Sequence, residues 1–270
     1  MLKGNVTGTA QRAIIRQCLN RNFDEVLKQV RTLPLQECSV SFLQIYLARA
    51  VQEGHVASVD YVWNRFVQRA GVLVVRPDVL CDIGNLMFFS GSFGILDSIW
   101  RHYDKFYRSE QGVEWDDYRY HLLRLRIEGY AARPASATAF PKKWRKLLLD
   151  LDCALPAYPF SVWDFPQLRL SLGELEERNL ARWIIRALRG IQNEYTSTLL
   201  LNMTLQQPQL DPDAKLRLFR WFVSRRHCSA GALNETITML ARKLESNEYA
   251  DLKEFLAQMG IDAPAEHKGS

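Results

Sequence analysis

Two stretches of the chain are near-copies of each other, and that repetition limits the fold more than any other feature. The string GHVASVDYVW beginning at Gly54 aligns with GSFGILDSIW beginning at Gly91, so that Gly, Asp and Trp recur 37 residues apart. A third helix closes on Glu128-Gly129-Tyr130, its glycine 38 residues after Gly91. Upstream, Asn20-Arg21-Asn22-Phe23 gives the same polar turn before a helix, 33 residues ahead of the Gly54 unit. A period of this length marks units of helix, turn and helix. One such hairpin cannot bury its apolar side alone, so it must stack on its neighbours. First helices are expected over 39–52 and 78–89, and second helices over 56–69 and 95–107. Pro77 suits a helix start, where its missing amide costs nothing, and Asp78 can cap. Trp63 and Trp100 are expected in equivalent slots between layers, as core.

The predicted fold class is therefore all-α: stacked helical hairpins forming a solenoid, in two helical blocks. Long alternating β-branched runs are absent, and 14 Gly and 10 Pro are few for a β architecture of 270 residues. The repeats span 12–130. A proline-rich connection follows over 131–170, containing a short helix at 142–152 and an aromatic crossing segment at 154–166. The second block covers 171–261. Ser171 to Glu174 reads as a capping box opening a helix that stops at Gly190. Further helices are expected at 194–206, 213–226, 230–245 and 249–259, with residues 262–270 a frayed tail.

The five cysteines are widely spaced, odd in number and without a C-x-x-C pair, which fits neither a secreted disulfide framework nor a zinc site. No apolar run reaches the roughly 18–20 residues that span a bilayer. Residues 1–23 carry Lys3, Arg12, Arg16 and Arg21, with no acid before Asp24 and an apolar helical face. That pattern suits a mitochondrial import signal merging into the first helix, and equally a first helix with a basic face. Both readings stand.

A net charge of +5 is mild, but the basic residues cluster. Eight of them lie between Arg119 and Lys146 against the single acid Glu128. Arg178, Arg182, Arg186 and Arg189 are spaced 4, 4 and 3, which sets them along one helical face, while Leu180, Ile184 and Leu188 turn to the core. Lys215, Arg217, Arg220, Arg225 and Arg226 form the third cluster beside Phe219, Trp221 and Phe222. Each guanidinium offers a planar fork of donors that matches a phosphate backbone, and nearby aromatics can stack bases. Each cluster taken alone is equally a solvated face. No catalytic motif accompanies them: the five histidines never take metal-ligand spacing, and nucleophile elbow, P-loop and dinucleotide fingerprints are absent. A non-enzymatic protein without a cofactor or metal is expected.

The repeats resemble pentatricopeptide repeats. The words that carry the likeness are Arg76-Pro77-Asp78-Val79 before a first helix and Phe88-Phe89-Ser90-Gly91-Ser92-Phe93 at the turn. The C-terminal run from Glu248 through Phe255 to Ile261 adds to it. The likeness covers about 12–130 and 230–261, and its repeats are longer than the family's usual unit. Degenerate arrays of this kind look like fungal mitochondrial translational activators, such as those serving the messenger for cytochrome c oxidase subunit III. The resemblance implies a protein on the matrix side of the inner membrane, peripherally attached. Its partners would be a messenger leader, the small mitoribosomal subunit and other translational activators. It also implies base-reading positions early in the first helices, at Gln44, Cys81 and Arg119, of which Cys81 is a poor reader. The alternative class is a helical scaffold that binds no RNA, an assembly factor or peripheral mitoribosomal protein.

Overall fold

The computed structural model describes residues 3–19, 22–133, 142–155, 158, 161–225, 228–242, 244 and 246–261. It divides into two compact units, Met1–Arg126 and Ile127–Ser270. The expected tail at 262–270, most of the 131–141 stretch and Arg226 lie outside the described residues.

In the first unit α1 (Lys3–Cys18), α2 (Phe23–Thr32), α3 (Val40–Gln52) and α4 (Val56–Val62) are followed by α5 (Pro77–Phe89), α6 (Leu96–Tyr107) and the start of α7 (Val113–Ala131). Helix α1 packs on α2 and α3, α2 on α4, and α3 on α4 and α5. First helices therefore neighbour first helices and second neighbour second, the signature of stacked hairpins. The glycines that drew attention in the sequence do the turning: Gly54 has φ 68° and Gly91 has φ 75°, a region that side chains avoid. Gly129 differs from its expected role, because it lies inside α7, two residues before that helix ends at Ala131.

Ser39 caps α3 by accepting the Phe42 amide, and its own hydroxyl donates to Gln11 of the preceding hairpin at 2.9 Å. His55 caps α4 through Nδ1, which accepts the Ser58 amide, while Nε2 donates to Asp24 at 3.1 Å. Helix α4 then continues as a π-helical stretch, Trp63–Arg69, a rare geometry in which each amide bonds the carbonyl five residues back. Trp63 and Trp100 are both buried as expected; the Trp63 indole donates to Ser98 at 2.9 Å.

The second unit contains the end of α7 with α8 (Lys142–Ala154), α9 (Pro166–Gly173) and α10 (Glu177–Ala187), then α11 (Glu194–Leu205), α12 (Pro212–Arg225), α13 (Ala230–Ala241) and α14 (Ser246–Gln258). Again α8 packs on α10, α9 on α11, α11 on α13 and α12 on α14. Ser171 does not open a helix. It sits near the end of α9, and its buried hydroxyl donates to the Ala131 carbonyl at 2.8 Å. Helix α9 starts earlier, at Pro166. Proline brings no amide of its own, and the next two orphan amides, Gln167 and Leu168, are both accepted by the Glu128 carboxylate at 2.7 and 3.0 Å. Asp152 likewise accepts Gln192 and Asn193 ahead of α11, and Glu194 accepts Ser229, the cap of α13, at 2.7 Å.

Candidate nucleic-acid interface

Helix α10 buries Leu180, Trp183, Ile184 and Ala187. With 100° between successive residues, that leaves Arg178, Arg182 and Arg186 on the solvent side, where all three are exposed. Arg189 is exposed in the turn that follows, closed by Gly190 at φ 83°. No hydrogen bond or ion pair joins these four guanidiniums to another described residue. Their donors are directed to solvent and remain available to a phosphate backbone at no cost in broken internal bonds.

The other expected contacts are occupied to different degrees. Arg217 on α12 pairs with Asp213 one turn earlier at 2.8 Å, with both side chains largely exposed, so solvent leaves the pair weak. Arg220 ties α12 to α14: it donates to the Asp251 carbonyl at 3.2 Å and lies over the Phe255 ring at 5.6 Å. Its Nε is buried without a partner. Arg225 is exposed in the last turn of α12, where the helix dipole favours a cation.

In the first unit, Gln44 and Cys81 are both the fifth residue of their helices, α3 beginning at Val40 and α5 at Pro77. Gln44 is exposed beside a cleft of about 250 Å³ lined by Ile45, Val74, Arg76 and Val79. Burial pushes the Cys81 thiol up to about 12, helped by Asp82 and Asp78, which keeps it neutral. Arg119, the seventh residue of α7, is only 11% exposed and holds the loop after α6. It pairs with Asp116 at 2.7 Å and donates to the carbonyls of Arg108 and Glu110. Arg126 is also interior, paired with Asp97 at 3.0 Å and lying over Trp100. The basic run from 119 to 146 thus contains structural arginines as well as solvated ones such as Arg145 and Lys146.

One feature escaped sequence reasoning. Trp163 lies in a single 3₁₀ turn, Val162–Asp164, yet is 69% exposed, with the Arg169 guanidinium 4.3 Å from its ring centroid. The signal available was Ser161 to Asp164, a capping box in the proline-rich segment that fixes an ordered turn there.

Among the described residues, no group of three or more His, Cys, Asp or Glu is placed to hold a metal ion, and no helix is long and apolar enough to cross a membrane. No solved structure matches the chain. Residues 2–259 match the family described as PET122. Among its relatives, Protein PET122, mitochondrial, of Lachancea kluyveri is 35% identical, the alignment covering 94% of this chain and 81% of that one. The protein of the same name in Saccharomyces cerevisiae is 25% identical over 73% of this chain and 79% of its own. That of Saccharomyces bayanus is 25% identical over 71% and 78%. A match over nearly the whole length, carried by both helical units, means that the chain belongs to the PET122 family.

Proposed function

We propose that this chain is a non-enzymatic mitochondrial translational activator that binds a messenger leader through its second helical unit and brings it to the small mitoribosomal subunit. The observation that carries the reading is the solvated arginine face of α10, Arg178, Arg182, Arg186 and Arg189, which has no partner among the described residues. It occurs in a chain whose PET122 relatives are named as mitochondrial. The likeness to activators of cytochrome c oxidase subunit III makes that leader the first RNA to test. In this reading the protein acts at the matrix side of the inner membrane as a peripheral component, alongside other activators. Arg217 and Arg225 add exposed cations on α12 of the same unit; in the first unit, Gln44 offers an exposed amide and Arg119 acts only through the loop it holds.

Arg182→Glu with Arg186→Glu should abolish crosslinking to RNA in mitochondria while the far-ultraviolet dichroism stays unchanged. If the unaltered protein recovers no RNA, the reading is lost. The competing reading, a scaffold that binds only protein, draws on the cleft at Ile45, Val74 and Val79. It wins if the double variant keeps full activator function while substitutions in that cleft remove it.

A further inference from the structure

Seven tryptophans are present, and most are spent on the interior: Trp63, Trp100, Trp144 and Trp183 are all buried. Trp163 stands apart at 69% exposed. Leaving so large an apolar ring in water forgoes burial worth about 25 cal/mol per Å², and no other tryptophan among the described residues is exposed. The ring is also held in place. Ser161 accepts the Trp163 amide, and Asp164 reciprocates on the Ser161 amide at 3.2 Å, which fixes the turn. Arg169, one turn into α9, places its guanidinium against the indole at 4.3 Å. Its Nε is buried and unpaired, so the π contact holds this side chain where hydrogen bonds at Nε do not.

We infer that Trp163 is a nucleobase-stacking platform: an unpaired RNA base lies on the indole face that Arg169 leaves open. The inference rests on the RNA reading above and adds to it a contact made to a base, distinct from the phosphate contacts of α10. Three observations favour RNA over an apolar partner. A cation on one side of the indole makes the local field attractive to a polyanion. Arginine and an aromatic ring together are the usual means of holding single-stranded bases without reading their identity. The same unit also presents the four solvated arginines of α10, whose helix packs on α11, as does α9.

The test uses the full-length protein with two probes of equal length, an oligouridylate of about twelve nucleotides and the same backbone without bases. Trp163→Ala should weaken binding of the oligouridylate by about 5- to 150-fold, the range that one stacked base supplies. Binding of the abasic probe and the salt dependence of both should stay unchanged. Trp163→Phe should recover part of the loss, and the fluorescence quenching of an exposed tryptophan on RNA addition should vanish with it. Because the ring is solvated, neither variant threatens the fold, which circular dichroism checks. If the wild type binds oligouridylate and Trp163→Ala binds it equally well, the platform is refuted while the RNA reading stands. If the wild type binds neither probe, both fall. If Trp163→Ala spares RNA but loses attachment to ribosomal protein or to vesicles of inner-membrane lipid, the ring serves an apolar partner and the platform is refuted.

Discussion

The indole nitrogen of Trp63 donates to the hydroxyl of Ser98 across 2.9 Å, joining the second helices of two successive hairpins. Both groups are buried, and Ser98 passes the bond on to the Ile95 carbonyl at 2.7 Å. Trp63→Ala removes the ring and leaves the hydroxyl without its donor, so a loss of about 3–5 kcal/mol is expected. Ser98→Ala should cost about 1–3 kcal/mol, because it orphans a buried indole N–H. Urea unfolding of the two single variants and the double variant measures their coupling, which should be clearly non-additive.

Gly84 in α5 faces α7, and a Cβ there would lie 2.8 Å from Cδ1 of Leu125. Alanine ordinarily gains about 1 kcal/mol in a helix. The clashing atom is the tip of a leucine side chain, and Leu125 is itself buried, so overpacking at about 1–3 kcal/mol is expected to outweigh that gain. Gly84→Ala is expected to lower the melting temperature. A rise would mean that the interface relaxes freely.

His102 and His121 should make stability sensitive to mild acid. Burial holds both imidazoles down to about 4, with Lys105 adding to the effect at His102 and Arg124 at His121. An unfolded histidine protonates near 6.5. Between those values the unfolded chain binds more protons than the folded one, so stability falls as pH drops from about 6.5 to 4. Protonation would also cost His102 the bond its Nε2 accepts from the Val75 amide at 3.1 Å. Denaturation midpoints across this window should decline in the wild type and decline less in His102→Gln.

The arginine face of α10 predicts a salt signature. For single strands the slope of log affinity against log salt is about −0.7 per phosphate contact. Replacing Arg178, Arg182, Arg186 and Arg189 by Gln should therefore make the slope shallower by about 3. An unchanged slope would place the phosphate contacts elsewhere.

Glu128 offers the clearest test of how one helix completes another. Its carboxylate accepts two amides at the start of α9 and is buried. Glu128→Ala should cost about 3–6 kcal/mol, since two hydrogen bonds to a charged group at about 1.5–3 kcal/mol each are lost and the amides are left without their partner. Glu128→Gln, with one accepting oxygen, should cost less in the same urea titration.

The hairpin architecture was legible because local chemistry announces it. Left-handed glycines at Gly54 and Gly91, proline at the start of α5 and a repeated tryptophan are all short-range signals. Positions set by distant partners were not legible. Ser171 looked like a cap because Glu174 follows it at capping-box spacing, yet its hydroxyl goes to Ala131, 40 residues away. Arg119 looked like an available cation until its three acceptors around the preceding loop were visible. The stripe on α10 could be read because helical spacing alone decides which way its arginines face. Trp163 could not, since exposure of a large ring in an irregular segment follows no period.

The caps that link neighbouring hairpins share a direction. Gln11 serves Ser39, Asp24 serves His55, Glu128 serves α9 and Glu194 serves Ser229. In each pair the earlier residue accepts a hydrogen bond from the later helix start. A chain that emerges from a translocation channel with its N-terminus leading would find, at each new helix, a waiting template on the segment already folded. Assembly of each unit can then advance like a ratchet, hairpin by hairpin, while the remainder is still threaded and unfolded.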